Sequence, residues 1–221
     1  MQNFNTPAPI STVLDIPAGR IQFIAADRTD TTVEVRPANP TKSRDLKAAE
    51  KVEVAYADGV LRIKAPEAKN QYFGPSGSVE VTVQLPAGSR VEAKAAAAEL
   101  RGVGRLGDIV FDGADGAVKI DEAASLHLTA YGDVSVGRLN GPGEISTQKG
   151  DIRIGEAVRG TVTLTTQMGD VSVGAARGVS ASLDAGTGYG RINNALKNAD
   201  GTAALTITAT TSHGDITARS L

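Results

Sequence analysis

Gly132-Asp133-Val134-Ser135-Val136, Gly150-Asp151-Ile152-Arg153-Ile154 and Gly169-Asp170-Val171-Ser172-Val173 are three copies of one phrase. The phrase continues outward as Gly107-Asp108-Ile109 before them and as Gly190-Arg191-Ile192 and Gly214-Asp215-Ile216 after them. Successive glycines are separated by 25, 18, 19, 21 and 24 residues. A phrase that returns at a spacing of about 20 residues marks a solenoid, in which one repeat cannot bury its apolar face alone.

The second residue after each glycine is Ile109, Val134, Ile152, Val171, Ile192 or Ile216, and the fourth is Phe111, Val136, Ile154, Val173, Asn194 or Ala218. Between them stand Val110, Ser135, Arg153, Ser172, Asn193 and Thr217. This alternation is the period of a half-buried strand. A second alternating strand precedes the later glycines, with Val162 and Leu164, then Val179, Ala181 and Leu183, then Leu205 and Ile207. Turns such as Arg138-Leu139-Asn140-Gly141 and Ala175-Ala176-Arg177-Gly178 separate the two. The prediction is an all-β, two-sheet β-solenoid in which like strands of successive repeats pair and the six glycines form one column. It comprises about six regular rungs over 93–221 and a more irregular β-hairpin or capping region over 1–92, continuous with the coil.

Two further columns accompany the glycines. Thr129, Thr147, Thr166, Thr187 and Thr211 stand three residues before them, with Gly104 in the first repeat. A threonine ladder is either a corner stack whose hydroxyls satisfy turn backbone groups or an outward face for a flat ligand such as a glycan lattice or ice. The corner reading is favoured because these threonines share parity with Leu164 and Leu183, and no regular Thr-x-Thr array is read along a strand. Leu126 and Leu128 fall one step out of phase, which implies a bulge. The column Asp108, Asp133, Asp151, Asp170 and Asp215 reads as turn aspartates bonding local donors, or as a calcium ladder.

Composition narrows the function classes. Aromatics make up 4% of the chain and Trp is absent, which suits a thin interior of Val, Ile, Leu and Ala. A formal charge of −2 leaves no basic footprint for nucleic acid, and without cysteine there is no disulfide, thiolate nucleophile or zinc-thiolate site. The two histidines, His127 and His213, are too few for a His-rich metal site. His213 holds a position occupied by Leu106, Tyr131, Lys149, Met168 and Tyr189 elsewhere, as an outward turn residue would. Gly102-Val103-Gly104-Arg105-Leu106-Gly107 fits Gly-x-Gly-x-x-Gly but is followed by a strand, so it is no dinucleotide fingerprint. No catalytic, cofactor-binding or metal residue is assigned. No apolar run is long enough to span a membrane, and the start lacks a basic and apolar leader, so a cytoplasmic location is expected, with a surface role left open.

Along the N-terminal part, Val13 to Ile16 runs into Pro17-Ala18-Gly19, and a strand over 20–24 turns at Asp27 to Asp30 into a strand over 32–36. Lys42 to Glu50 makes two helical turns or a loop. Ala57-Asp58-Gly59 joins two strands as a hairpin. Tyr72 and Phe73 lie in a loop that reads as mobile and as covering an end of the coil. Pro86-Ala87-Gly88 repeats Pro17-Ala18-Gly19 69 residues later, each time after an alternating strand, so the N-terminal part reads as a wider, degenerate version of the coil that caps the regular rungs. Ala93 to Ala98 is read as a rung with small interior residues.

Leu14-Asp15-Ile16-Pro17-Ala18-Gly19-Arg20, Val33-Glu34-Val35-Arg36-Pro37, the run from Gly77 to Ser89 and the Gly-Asp-Ile/Val repeats together resemble the bacterial DUF4097 family of "putative adhesins" with β-strand repeats, particularly its actinobacterial type. The resemblance covers almost the whole chain and implies a β-repeat fold without catalytic residues to carry over. Members of the family in some bacteria are exported or sit in envelope-stress systems, whereas this sequence lacks the export signal expected of them. The expected function is that of a non-enzymatic, adhesin-like binding or scaffold protein that presents a flat face to a protein, glycan or envelope partner. Ser135, Arg153 and Ser172 are the candidate binding face. The alternatives are a self-assembling protein that pairs strands end to end and a carbohydrate-active solenoid enzyme, which would need a groove with two close carboxylates.

Overall fold

A computed structural model describes residues 1–66, 77–113, 115–198 and 202–221. In the N-terminal half these form β1 (Gln2–Asn5), β2 (Ser11–Ala26), β3 (Asp30–Pro37), α1 (Ser43–Glu50), β4 (Glu53–Ala57), β5 (Val60–Lys64), β6 (Val79–Pro86), β7 (Arg90–Gly113) and β8 (Val118–Ala130). The repeats then contribute β9 (Val134–Leu139), β10 (Gly143–Lys149), β11 (Ile152–Ala157), β12 (Gly160–Met168), β13 (Val171–Ala175), β14 (Ala181–Tyr189), β15 (Ile192–Ala195), β16 (Leu205–His213) and β17 (Ile216–Ser220). The chain is therefore an all-β solenoid with one helix among the described residues, and its repeats stack through parallel pairing. Tyr72 and Phe73 lie outside the described residues.

Each turn of the coil gives one strand to each of two ladders. In the first, Val118, Val134, Ile152, Val171, Ile216 and Ile192 form one row across β8, β9, β11, β13, β17 and β15. In the second, Leu128, Ile145, Leu164, Ala209 and Ala185 form a row across β8, β10, β12, β16 and β14. The alternation places these rows inside, and the interior stays thin because its side chains are aliphatic. Ala93, Ala95 and Ala98 are buried in β7, so the alanine-rich segment is a strand with small interior residues. That strand also runs through the Gly-x-Gly-x-x-Gly match, which contains no helix.

The stacking order departs from the sequence reading. The last repeat does not close the coil. β16 pairs with β12 on one side and β14 on the other, and β17 lies likewise between β13 and β15. The final repeat is thus inserted beneath the one that precedes it, and β14 with β15 forms the outermost rung. The side chains explain the choice. Leu205, Ile207, Ala209, Ile216 and Ala218 are all buried, whereas the displaced repeat carries Asn194 at an inward position and leaves Ile192 46% exposed. A polar inward residue costs least on a rung with only one neighbour.

The glycine column also changes membership. Ile109 is in register with Leu126, so Gly107-Asp108-Ile109 belongs to the second ladder and not to the corner shared by the other five glycines. Its place is taken by Gly116, at φ +120°, where a Cβ would collide with the Ala98 carbonyl. Gly116-Ala117-Val118 lacks the aspartate that marks the other corners, so the motif hid the true member. The expected bulge at Leu126 and Leu128 is absent: β8 pairs with β10 without a register shift, and Ala130, not Thr129, is opposite Thr147. The phase change lies in the turn, where one residue separates Ala130 from Gly132 but two separate Thr147 from Gly150.

The N-terminal strands join the same ladders. β2 pairs in parallel with β7 from Ser11 opposite Arg90 to Ala25 opposite Gly104. The turn at Asp27 to Asp30 makes no hairpin: β3 is antiparallel to β6, which stands between it and β2. β4 and β5 do form the hairpin predicted at Asp58 and Gly59, whose φ values of 51° and 75° suit a tight turn. The two Pro-Ala-Gly turns are not equivalent. Gly19 is opposite Ala98, whereas Ala87 donates its N–H to Ala26 O at 2.8 Å, at the opposite end of the β2 segment beside β6. Helix α1 is held by buried Asp45, whose carboxylate accepts the N–H groups of Ser78 (3.0 Å) and Asn39 (3.2 Å).

Candidate binding face

Ser135, Arg153 and Ser172 are brought together. Arg153 is opposite Ser135 on one side and Ser172 on the other, and the row extends to Lys119 at one end and to Thr217 and Asn193 at the other. Parallel neighbours stand about 4.8 Å apart, so the three candidates span roughly 10 Å. Gly137, Gly155 and Gly174 run beside them, where a Cβ at Gly155 would meet the Gly137 carbonyl and one at Gly174 the Gly155 carbonyl. The face is therefore one row of side chains beside backbone that is bare at Gly137 and Gly155, while the Leu221 side chain lies against Gly174. Arg153 donates to Asp151 Oδ2 at 2.6 Å and remains exposed. Lys119 was missed in the sequence because its corner reads Gly-Ala-Val.

The aspartates bordering this face are structural. The N–H of Asp151 donates to Asp133 Oδ1, that of Asp170 to Asp151 Oδ1, that of Asp215 to Asp170 Oδ1 and that of Arg191 to Asp215 Oδ1, each at 2.8 Å. Each carboxylate caps a donor of the adjacent rung, and the order of bonds follows the inserted stacking order. Arg191 occupies the outermost rung, where an aspartate would find no further N–H to accept from. Its guanidinium reaches Asp215 Oδ2 at 3.1 Å and closes the row of negative charge. The Arg191 backbone N–H, followed by its side chain, holds the Asp215 carboxyl below the usual carboxylate range. Asp108 stands apart and accepts from Ser125 Oγ at 2.6 Å. Among the described residues, no three His, Asp or Glu side chains gather to hold a metal ion.

The threonine column is a corner stack. Thr147, Thr166, Thr211 and Thr187 donate to the carbonyls of Gly132 (2.8 Å), Gly150 (3.1 Å), Gly169 (3.0 Å) and Gly214 (2.9 Å). The first three are buried, while Thr129 points outward because Ala130 takes the corner. Outside that corner, Tyr131, Met168 and Tyr189 are exposed, and Tyr189 stacks on His213 at 5.0 Å. Leu106 is buried and does not join them.

A flat parallel coil whose polar repeats cap one another and whose outer rows are exposed defines the class: a β-solenoid repeat protein. The chain belongs to the DUF4097 family, described as Toastrack DUF4097, whose model matches residues 13–219. Among solved structures, a "putative adhesin" from Bacteroides fragilis NCTC 9343 is similar at 15% identity and a TM-score of 0.59, covering 98% of this chain and 95% of that one. A "putative adhesin" from Parabacteroides distasonis ATCC 8503 gives 14% identity and a TM-score of 0.45, with 98% and 95% covered. At 15% identity the likeness to the Bacteroides fragilis structure concerns the fold alone. No curated protein matches the chain. No helix among the described residues is long and apolar enough to cross a membrane.

Proposed function

We propose that the chain is a non-enzymatic, adhesin-like binding or scaffold module, which captures a partner on the flat row of Ser135, Arg153 and Ser172 while residues 1–92 cap the coil. The observation that supports this reading is the register itself: residues 18 and 19 positions apart are set side by side on one outward face, with Gly137 and Gly155 leaving the backbone beside Ser135 and Arg153 bare. Arg153 and Lys119 give the row its positive charge and favour a partner with acidic groups. The test is capture from native-host lysate with the purified chain as bait, read by mass spectrometry. The triple variant Ser135→Ala, Arg153→Ala, Ser172→Ala should lose the reproducible partner without a change in melting. Undiminished capture by that variant sinks the assignment.

A second reading, self-assembly, is favoured by the outermost rung. Among the described residues β14 and β15 pair on one side only, and Tyr189 and Ile192 are exposed beside those edges. An open parallel edge is a template for another strand. Mass that grows with concentration in sedimentation supports this reading, and a monomer at high concentration removes it.

A further inference from the structure

Insertion of the last repeat creates a surface that the chain order conceals. Thr161, Thr163 and Thr165 on β12 lie opposite Thr206, Thr208 and Thr210 on β16, residue for residue. Both stretches are regular Thr-x-Thr-x-Thr arrays, contrary to the reading of the sequence, and the inward Val162, Leu164, Ile207 and Ala209 send these threonines outward. The rows continue onto the flanking strands. Glu144 and Ser146 of β10 lie opposite Thr163 and Thr165, and Ser182 and Asp184 of β14 lie opposite Thr206 and Thr208. Along a strand the outward residues repeat every ~6.6 Å and across strands every ~4.8 Å, so the six threonine hydroxyls form two adjacent columns about 13 Å long, flanked by Glu144, Ser146, Ser182 and Asp184.

We infer that this lattice is a binding platform for a neutral polysaccharide, an inference that goes beyond the captured partner and rests only on the chain's working by binding. Each threonine hydroxyl offers one donor and two acceptor lone pairs, as sugar hydroxyls do, so both sides can give and take. Glu144 and Asp184 stand at opposite ends of the middle row, Glu144-Thr163-Thr208-Asp184, and supply acceptors for sugar O–H groups. The three rows of the lattice hold no lysine or arginine, the nearest in register being Lys149 in the corner row Lys149-Met168-His213-Tyr189, and their two carboxylates repel phosphate and acidic polymers. Within those three rows there is no aromatic, Met or Arg anchor of the kind that concentrates energy at a protein interface, the exposed Met168 and Tyr189 lying in the corner row beyond them. Beside the lattice a shallow depression of about 350 Å³, bordered by Asp108, Ser125, Pro142, Glu144, Thr161 and Thr163, gives room for a sugar to leave the plane.

The test is retention of the whole chain on insoluble cellulose, chitin and β-1,3-glucan, measured as depletion isotherms, with thermal melting as the folding control. The variant Thr163→Val, Thr208→Val keeps the branched shape and removes two hydroxyls, and should weaken retention on the bound polymer about ten-fold. Thr210→Arg, placed on an exposed position, should block it sterically. Retention on none of the three polymers, or retention unchanged in both variants, overturns the inference, as does wild-type shaping of ice crystals without retention. Lysate capture separates the two claims, because the threonine variants should still hold the partner that Arg153 recruits. Release of reducing ends from a retained polymer would remove the non-enzymatic reading and leave the platform standing.

Discussion

The inserted stacking order makes a quantitative prediction about two isoleucines that the sequence treats as equivalents. Ile216 and Ile192 both follow a corner glycine by two residues, but Ile216 has strands on both sides and is 1% exposed, whereas Ile192 sits on the outermost rung at 46%. Ile216→Ala deletes three carbons worth ~0.8 kcal/mol each, about 2.4 kcal/mol, and the cavity left between two rungs raises the loss to about 3–4 kcal/mol. Ile192→Ala forfeits about half of that transfer energy and leaves no closed cavity, so its cost is about 1 kcal/mol. The difference, about 2–3 kcal/mol, is readable in urea unfolding as a shift in midpoint at constant slope. Chain-order stacking would place Ile216 at the end and reverse the ranking. Equal losses, or a greater loss at Ile192, would refute the inserted order.

Three further outcomes are expected. Ile152, fully buried between β9 and β13, should not tolerate Ile152→Asp: an unpaired charge between rungs unfolds the coil, and unchanged melting would mean the inward face is misassigned. Thr166→Val preserves shape but leaves the Gly150 carbonyl without its hydroxyl donor, at a cost of about 1–3 kcal/mol in urea unfolding. The Asp215 carboxyl, depressed first by the Arg191 N–H and then by its guanidinium, contributes stability that is present above the ordinary carboxylate range and is lost as pH falls through the lowered value. Arg191→Ala should therefore raise the Asp215 titration midpoint partway toward the ordinary value in an NMR titration, because the backbone donor remains. A midpoint left unmoved would show that the ion pair does not form in solution.

Much of the architecture is written in the regular repeats. Over Val134–Val136, Ile152–Ile154 and Val171–Val173 the period of two holds, so these inward rows and the candidate row of Ser135, Arg153 and Ser172 follow from parity alone. The stacking order does not follow, because every repeat carries the same pairing surface and the choice depends on the cost of burying Asn194 between two neighbours. That one preference moves β16 against β12 and assembles the threonine lattice from residues 45 positions apart. Parity was sufficient to turn Thr161, Thr163 and Thr165 outward, but not to reveal what stands beside them. Gly107-Asp108-Ile109 misled for a related reason: the phrase suits the start of a strand in either ladder, and only register distinguishes the two.

Inserted stacking is the central claim, since both the threonine platform and the outermost rung depend on it. The natural absence of cysteine allows a direct measurement by introduced pairs. Ser172 is opposite Thr217, and Thr217 stands between it and Asn193. Adjacent strands are about 4.8 Å apart, within disulfide reach, and alternate strands about 10 Å apart, beyond it. Under mild oxidation the pair Ser172→Cys, Thr217→Cys should close with loss of free thiol, and the pair Ser172→Cys, Asn193→Cys should stay reduced. Closure of the second pair and not the first would contradict the account.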